Sequence, residues 1–281
     1  MFRLSSTRQS SSPREWDSAS IAMTLVTISP PTHQDGKHRR RRSNFFCPLS
    51  GVVIVTAVDR TWTVPAHHGL WLPAHIEHDC RMVGVVEMQS LDFGPELSLT
   101  MPRDCKVVEM SSLAKSLMAE AARLPIEEKQ KGRAAALMTL LKYEIEMMPA
   151  LPLWLPLPGN ETLSRHCRQF LLNPTAASHT KAWADALDTS RRTFTRLFRK
   201  ETTLSLVEWR QRACILAALP ELVAGKSVSE TALCLGYENP ASFTTLFRRV
   251  LGVPPKKYAT SIIQNQPRRP FVSSKRGQSS S

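Results

Sequence analysis

Apolar and polar positions change rhythm twice along this 281-residue chain. From residue 43 to about 105, short apolar runs are punctuated by turn residues. The runs are Gly51-Val52-Val53-Ile54-Val55, Trp62-Thr63-Val64, Gly69-Leu70-Trp71-Leu72-Pro73 and Val83-Gly84-Val85-Val86-Glu87-Met88. That spacing predicts the strands of a small β-sandwich or barrel. From Met110 to Met148 the rhythm becomes helical. Leu113, Leu117 and Ala121 line one face of a first helix, and Leu137, Leu140, Leu141 and Ile145 lie on a second. Residues 149–160 carry Pro149, Pro152, Pro156 and Pro158. Each proline lacks a backbone donor and constrains its predecessor, so no helix forms there and a linker between domains is expected. Residues 161–259 are helical again. Residues 1–36, rich in Ser, Thr and Pro without periodicity, are expected to be disordered, as is the basic tail 260–281.

The helical third repeats itself. Thr193-Phe194-Thr195-Arg196-Leu197-Phe198-Arg199-Lys200 recurs 49 residues later as Ser242-Phe243-Thr244-Thr245-Leu246-Phe247-Arg248-Arg249, with five of eight positions identical. At helical spacing the Phe and Leu residues of each copy share a core-facing side. Thr195, Arg196 and Arg199, and likewise Thr245 and Arg248, lie on the other side. Ser227-Val228-Ser229-Glu230 reads as a capping box opening a helix through Leu235. Gly236-Tyr237-Glu238 breaks it, and Asn239-Pro240 restarts a helix with Asn as cap and Pro in the first position. In the first copy Thr180 caps Lys181–Leu187, Asp188-Thr189 turn, and Ser190 caps the next helix. Helix, short turn and helix with a polar outer face is the arrangement that sets one helix into a major groove.

Charge sharpens this picture. The net +13 divides into +5 over residues 1–42, −3 over 43–159 and +11 over 160–281. The basic end is where a polyanion binds, since each phosphate contact releases condensed counterions. One basic amphipathic helix would fit the solvated face of an ordinary bundle; two matched copies in a +11 region point to DNA. No apolar run approaches the ~18–20 residues of a membrane span. The N-terminus lacks the apolar stretch of a secretory signal, and the six scattered cysteines include no Cys-x-x-Cys pair. Reduced thiols in a cytoplasmic protein are the reading that follows.

Residues 161–259 resemble the DNA-binding domain of the AraC family of bacterial regulators. The second unit carries that family's signature from Gly236-Tyr237-Glu238-Asn239-Pro240-Ala241-Ser242-Phe243 through Phe247-Arg248-Arg249 to Gly252-Val253-Pro254-Pro255-Lys256-Lys257-Tyr258. The resemblance implies two helix-turn-helix units joined by a long helix, here Ser205–Ala224, reading successive major grooves roughly 34 Å apart. It also implies base contacts by Arg192, Thr195 and Arg196 from the first recognition helix and by Ala241, Ser242 and Thr245 from the second. Arg199, Arg248 and Lys257 are the implied phosphate contacts. Arginine suits guanine O6 and N7, so the first unit is expected to dominate base discrimination. Three positions depart from the family pattern. Asp188 replaces the turn glycine, Thr203 replaces a glycine after the first recognition helix, and Pro220 lies inside the joining helix. Thr203 implies a different local backbone, and Pro220 a kink or an end.

The strand-rich region resembles the cupin-type sensor domain of many such regulators, through Ser50-Gly51-Val52-Val53 and Val64-Pro65-Ala66-His67-His68-Gly69-Leu70-Trp71-Leu72-Pro73-Ala74-His75-Ile76-Glu77-His78. Where metal cupins carry His-x-His this chain reads His38-Arg39-Arg40, which leaves only His38 and His78 as matched ligands. Metal catalysis is therefore not expected, nor is any cofactor. A barrel of this size holds one small ligand, for which Phe46, Trp62, Trp71, His78 and Met88 are the candidate lining.

The fold class that follows is α+β: a cupin-like sensor barrel over 37–105, a helical connector over 106–148 whose apolar faces either pair with a second copy or cover the barrel, then an all-α tandem helix-turn-helix domain over 161–259. The expected function is a sequence-specific, non-enzymatic transcriptional regulator that answers a small effector, binds promoter DNA and controls a neighbouring gene such as a transporter. A second copy and RNA polymerase are its further expected partners. Two other classes compete with it: a metal-dependent cupin enzyme with a nucleic-acid-binding domain, and a non-specific architectural or RNA-binding protein.

Overall fold

The structure, a computed structural model, describes residues 21–30, 33–124, 132–177 and 180–264. Eight strands come first: β1 (Ile21–Ser29), β2 (Gln34–Arg39), β3 (Ser43–Pro48), β4 (Val52–Ala57), β5 (Arg60–Pro65), β6 (His68–Leu72), β7 (Glu77–Val83) and β8 (Val86–Phe93). A one-turn helix α1 (Pro95–Ser98) and strand β9 (Lys106–Glu109) lead to helices α2 (Ser112–Arg123) and α3 (Gly132–Met147). Strands β10 (Ala150–Leu151) and β11 (Trp154–Pro156) precede the second half. That half comprises α4 (Glu161–Leu172), α5 (Thr180–Ala186), α6 (Arg191–Thr202), α7 (Leu206–Val223), α8 (Val228–Cys234), α9 (Pro240–Leu251) and α10 (Pro255–Gln264).

The fold is α+β, but the strands do not close into the expected barrel. They form two open sheets, ordered β1-β8-β3-β6-β9-β10 and β11-β5-β4-β7-β2. Turn spacing is alike in a barrel and a sandwich. What separates them is the pairing of distant strands, which local pattern does not encode. The space between the sheets is filled by Phe46, Leu70, Val86 and Val107 from the first and by Val53, Val55, Trp62, Val64 and Met82 from the second. The outer face of the first sheet, with Phe45, Trp71, Leu91 and Phe93, packs under α2 and α3. Gly69 permits this, because a Cβ there would collide with the Phe45 ring.

Several boundaries differ from the sequence reading. The run Val83–Met88 spans a turn at Gly84 (φ +77°) and belongs to two strands, not one. β1 and the start of β2 fall within the stretch expected to be disordered. α10 runs on to Gln264, five residues beyond the expected end of the helical domain. α2 buries Ala114, Met118 and Ala121, so its inward stripe is displaced by one residue from Leu113 and Leu117. Leu113 and Leu140 are exposed.

Residues 149–160 are a strap, not a free linker. β11 pairs with β5, setting Trp154 opposite Trp62 and Pro156 opposite Arg60. An edge strand needs donors on one side only, so its prolines are tolerated. Leu153, Leu155 and Leu157 are buried in a cluster continuous with the helical half. Together they contribute on the order of 5 kcal/mol before entropy. Trp209 Nε1 of α7 donates to the Pro156 carbonyl at 2.6 Å. The guanidinium groups of Arg60 and Arg212 lie 5.0 and 5.8 Å from the Trp154 ring. Arg168 of α4 donates to the carbonyls of Ala57 and Val58 at 3.2 and 3.4 Å. The Glu201 carboxylate at the end of α6 accepts from the Gly159 and Asn160 amides at 2.9 and 3.2 Å. At the other side of the joint, the Tyr258 ring of α10 stands 5.9 Å from His68.

Three histidines of the sheet half are buried: His67, His68 and His78. Burial holds the His67 imidazole down at about 4, helped by the Lys115 and His68 charges. Burial also lowers His68 and His78, against the opposing pull of their backbone acceptors Ala66 and Ile76. Below about pH 6.5 the unfolded chain therefore binds protons that the folded chain refuses. The prediction is a stability that is flat above that pH and falls as pH drops toward 4. The slope is at most about 1.4 kcal/mol per pH unit for each histidine. Urea unfolding across a pH series measures it, and His67→Asn, which keeps a residue tolerant of the φ of +64° there, should flatten the slope.

Candidate nucleic-acid interface

Both helix-turn-helix units fold as their local chemistry dictates. Ser190 accepts from the Thr193 amide, Ser227 and Glu230 form a reciprocal capping box, and Asn239 accepts from the Ala241 amide with Pro240 in the first turn. A second capping box, Ser205 with Glu208, opens α7. The turn between α5 and α6 places Asp188 at φ +48°, and that between α8 and α9 places Gly236 at φ +73°. Gly236 also faces Thr175, whose Oγ1 would lie 2.5 Å from an added Cβ. One departure from the family pattern resolves differently from expectation. Thr203 adopts the left-handed cap (φ +62°) that Gly252 supplies to the second unit (φ +78°), so the backbone is kept despite the β-branched residue. α7 runs through Pro220 to Val223. The carbonyl that Pro220 leaves unpaired lies only in the last turns of the helix.

Beneath α6, Phe194 and Phe198 pack with Trp183 of α5 at 6.5 and 6.3 Å between ring centres, and Phe198 meets Trp209 of α7 at 6.0 Å. Beneath α9, Phe243 meets Tyr237 at 5.5 Å and Phe247 meets Tyr258 at 5.7 Å. α7 buries residues around its whole circumference, from Leu206 and Trp209 to Leu219 and Leu222, and so fixes the separation of the two units.

This core leaves one side of each recognition helix in solvent. Arg192, Thr195, Arg196 and Arg199 are exposed on α6, and Ala241, Ser242, Thr245 and Arg248 on α9. Lys257 is exposed on α10. The structure thus gathers the DNA-contact candidates onto two faces. It adds Arg191 and Lys200 on α6, and Arg249 on α9 with Gln211 of α7, which the sequence reading passed over. A helical wheel weighted for every cation would have found Arg191, Lys200 and Arg249; Gln211 depends on how α7 packs. Among the described residues, none of these cations on α6 forms an ion pair. Thr195 donates its hydroxyl to the Arg191 carbonyl at 2.8 Å, so it offers an acceptor and a methyl outward.

The effector candidates divide. Phe46, Trp62 and Met88 face the space between the sheets. His78 is buried on β7, its ring 4.3 Å from that of His38, and each Nδ1 bonds the carbonyl two residues earlier at 2.9 Å. Trp71 is turned away from the other four. It packs edge-on to Phe93 and donates to the Pro102 carbonyl at 2.8 Å, on the α2–α3 side. Strand alternation explains the split, since Leu70 and Trp71 must face opposite ways. Among the described residues no group of three or more His, Cys, Asp or Glu is placed to hold a metal ion.

Two paired helices per unit, outward cations and hydroxyls, and a rigid joining helix define a tandem helix-turn-helix DNA-binding protein. Residues 183–261, spanning both units, match the family model described as a helix-turn-helix domain. The regulator NimR of Escherichia coli K12, described as an HTH-type transcriptional regulator, is 27% identical over 230 residues, covering 82% of this chain and 84% of its own. Among solved structures, the DNA-binding domain of AdpA in complex with a target DNA is 27% identical, covers 39% of this chain and 99% of that one, and has a TM-score of 0.37. ToxT of Vibrio cholerae O395 is 11% identical, covering 86% of this chain and 98% of that one, with a TM-score of 0.35. Residues 183–261 form a tandem helix-turn-helix domain, and the chain is similar over most of its length to a transcriptional regulator.

Left-handed backbone costs a non-glycine residue about 1–2 kcal/mol. Thr203→Gly should therefore stabilise the chain by about 1 kcal/mol, after allowing for the greater freedom of glycine when unfolded. Thermal or urea unfolding measures it, and a destabilised variant would show that the threonine side chain outweighs the strain.

Proposed function

We propose that this regulator reads a bipartite operator, chiefly through its first unit, and that a small effector between the sheets sets its affinity. The observation that carries the reading is the pairing of unlike recognition faces on one rigid helix. Arg192 and Arg196 can each make forked contacts to guanine, whereas Ala241, Ser242 and Thr245 read bases less sharply. Arg199, Arg248 and Lys257 grip phosphates and fix register. Phe46, Trp62, His78 and Met88 are the effector contacts, and Trp62 is the one beside the strap. A ligand bound differently by two arrangements of β5 and the strap would shift α7, as any effector response requires. The regulator acts without catalysis, in the cytoplasm, on a neighbouring gene such as a transporter and with RNA polymerase as its downstream partner. Residues 37–148, 149–160 and 161–259 serve as sensor, strap and DNA-binding units.

The regulator also works as a homodimer through α3. Leu140, Tyr143 and Met147 are exposed at i, i+3 and i+7 on that helix, with Leu113 also exposed on α2. A self-complementary stripe on one helix is what a two-fold interface needs.

Two measurements test this. Binding-site selection from a random duplex pool should enrich two blocks about one helical turn apart, and Arg196→Ala should relax the bases of one block at a cost of about 1–3 kcal/mol in discrimination. A uniform loss of affinity with the base preference intact would make Arg196 a phosphate contact and end the proposed division of labour. Sedimentation should find a dimer for the wild type and a folded monomer for Met147→Asp, whose unfolding midpoint no longer depends on protein concentration. A wild-type monomer at working concentrations would remove α3 from the mechanism.

A further inference from the structure

We propose that Gln211 and Arg249 form a preset clamp for a DNA backbone phosphate at the second helix-turn-helix unit. The proposal rests on the DNA-binding reading and names a contact that the recognition-helix pattern does not contain. Arg249 Nη2 of α9 donates to Gln211 Oε1 of α7 at 2.7 Å. The bond crosses from one helix to another, 38 residues away in sequence. Arg249 follows Thr245 by four residues and Ser242 by seven, which sets it on the same side of α9. Gln211, Tyr237, Ser242, Thr245 and Arg249 line one shallow concavity.

The chemistry at this place is that of an anion seat. Gln211 is neutral, so it orients the guanidinium without cancelling its charge. One guanidinium nitrogen is taken, and the remaining N–H groups can meet two oxygens of a phosphate side by side. Among the described residues no carboxylate pairs with Arg249. Position along the helix selects backbone over bases. Recognition helices present their N-terminal residues to base edges, and Arg249 is the tenth of twelve residues in α9. The comparison between units makes preorganisation matter. α6 exposes five cations, Arg191, Arg192, Arg196, Arg199 and Lys200, whereas α9 exposes Arg248 and Arg249. The second unit has fewer charges, and one of them is held in place by the buried joining helix.

Fluorescence anisotropy of the full chain with a labelled random-sequence duplex and with the selected operator, each over a salt series, tests the clamp. Arg249→Gln should weaken both complexes roughly tenfold and flatten the slope of log K against log salt by about 0.9, the value for one phosphate. The base preference should not change. Arg249→Lys should retain the slope, because the charge remains, while losing part of the affinity. Gln211→Ala should also retain the slope and weaken binding by about threefold, with unfolding like wild type. An unchanged slope in Arg249→Gln would overturn the proposal, and so would a changed base preference in the second block, which would make Arg249 a base reader. Full affinity in Gln211→Ala would overturn the positioning role. A wild-type chain that binds neither duplex would instead overturn the DNA-binding reading, and the clamp with it.

Discussion

Trp209 lies fully buried with Phe170, Trp183 and Phe198 around it at 5.8, 6.1 and 6.0 Å, while its indole N–H reaches out of that cluster to the Pro156 carbonyl. The ring belongs to the core of the first helix-turn-helix unit and the hydrogen bond belongs to the strap. An indole has one donor, and when buried it must find one acceptor. Here that requirement ties α7 to an edge strand of the sheet half. The strap in turn has β5 as its other neighbour, so α7, β11 and β5 share one arrangement. Prolines that forbid a helix and leave β11 a free carbonyl are what make this junction available.

Rigidity of the joint gives the two recognition helices their meaning. α7 is buried on nearly every side, so the spacing between α6 and α9 is a property of the core, not of a loop. DNA then acts on both units together, and reciprocity requires that anything moving α7 through the strap alters DNA affinity to the same degree that DNA alters it. The two faces are unlike: α6 exposes five cations, whereas α9 exposes Ala241, Ser242 and Thr245 with two cations behind them.

Much of the helical third is legible in the sequence because its signals are local. Ser190, Ser227 with Glu230, and Asn239 with Pro240 cap where the residue types say they should, and the repeated Phe and Leu positions fall inward. The sheet half is less legible, for physical reasons that differ by strand. β2, Gln34–Arg39, is a polar edge strand whose side chains need no core, so it carries no apolar rhythm. β3 is buried at every position because helices cover one face and the second sheet the other, which erases alternation. β11 reads as a proline-rich linker, and only its partner β5 makes it a strand. Trp71 reads as a pocket residue because aromatic character does not say which face of a strand it occupies; the register at Leu70 decides that.

The two units also differ in how their geometry is maintained. The second unit has glycine at both left-handed positions, Gly236 and Gly252, where the backbone bends at no steric cost. The first has Asp188 and Thr203 there, each costing energy that the rest of the unit must hold in place. What holds α6 is the aromatic cluster of Phe194, Phe198, Trp183 and Trp209 below it and the Glu201 contact to the strap at its end. The more highly charged recognition helix therefore meets the joint with the sheet half through Trp209 and Glu201, whereas α9 meets it through Phe247, Tyr258 and His68. A change at the joint therefore bears on both units, on the more highly charged one through hydrogen bonds to the strap and on the other through stacked rings.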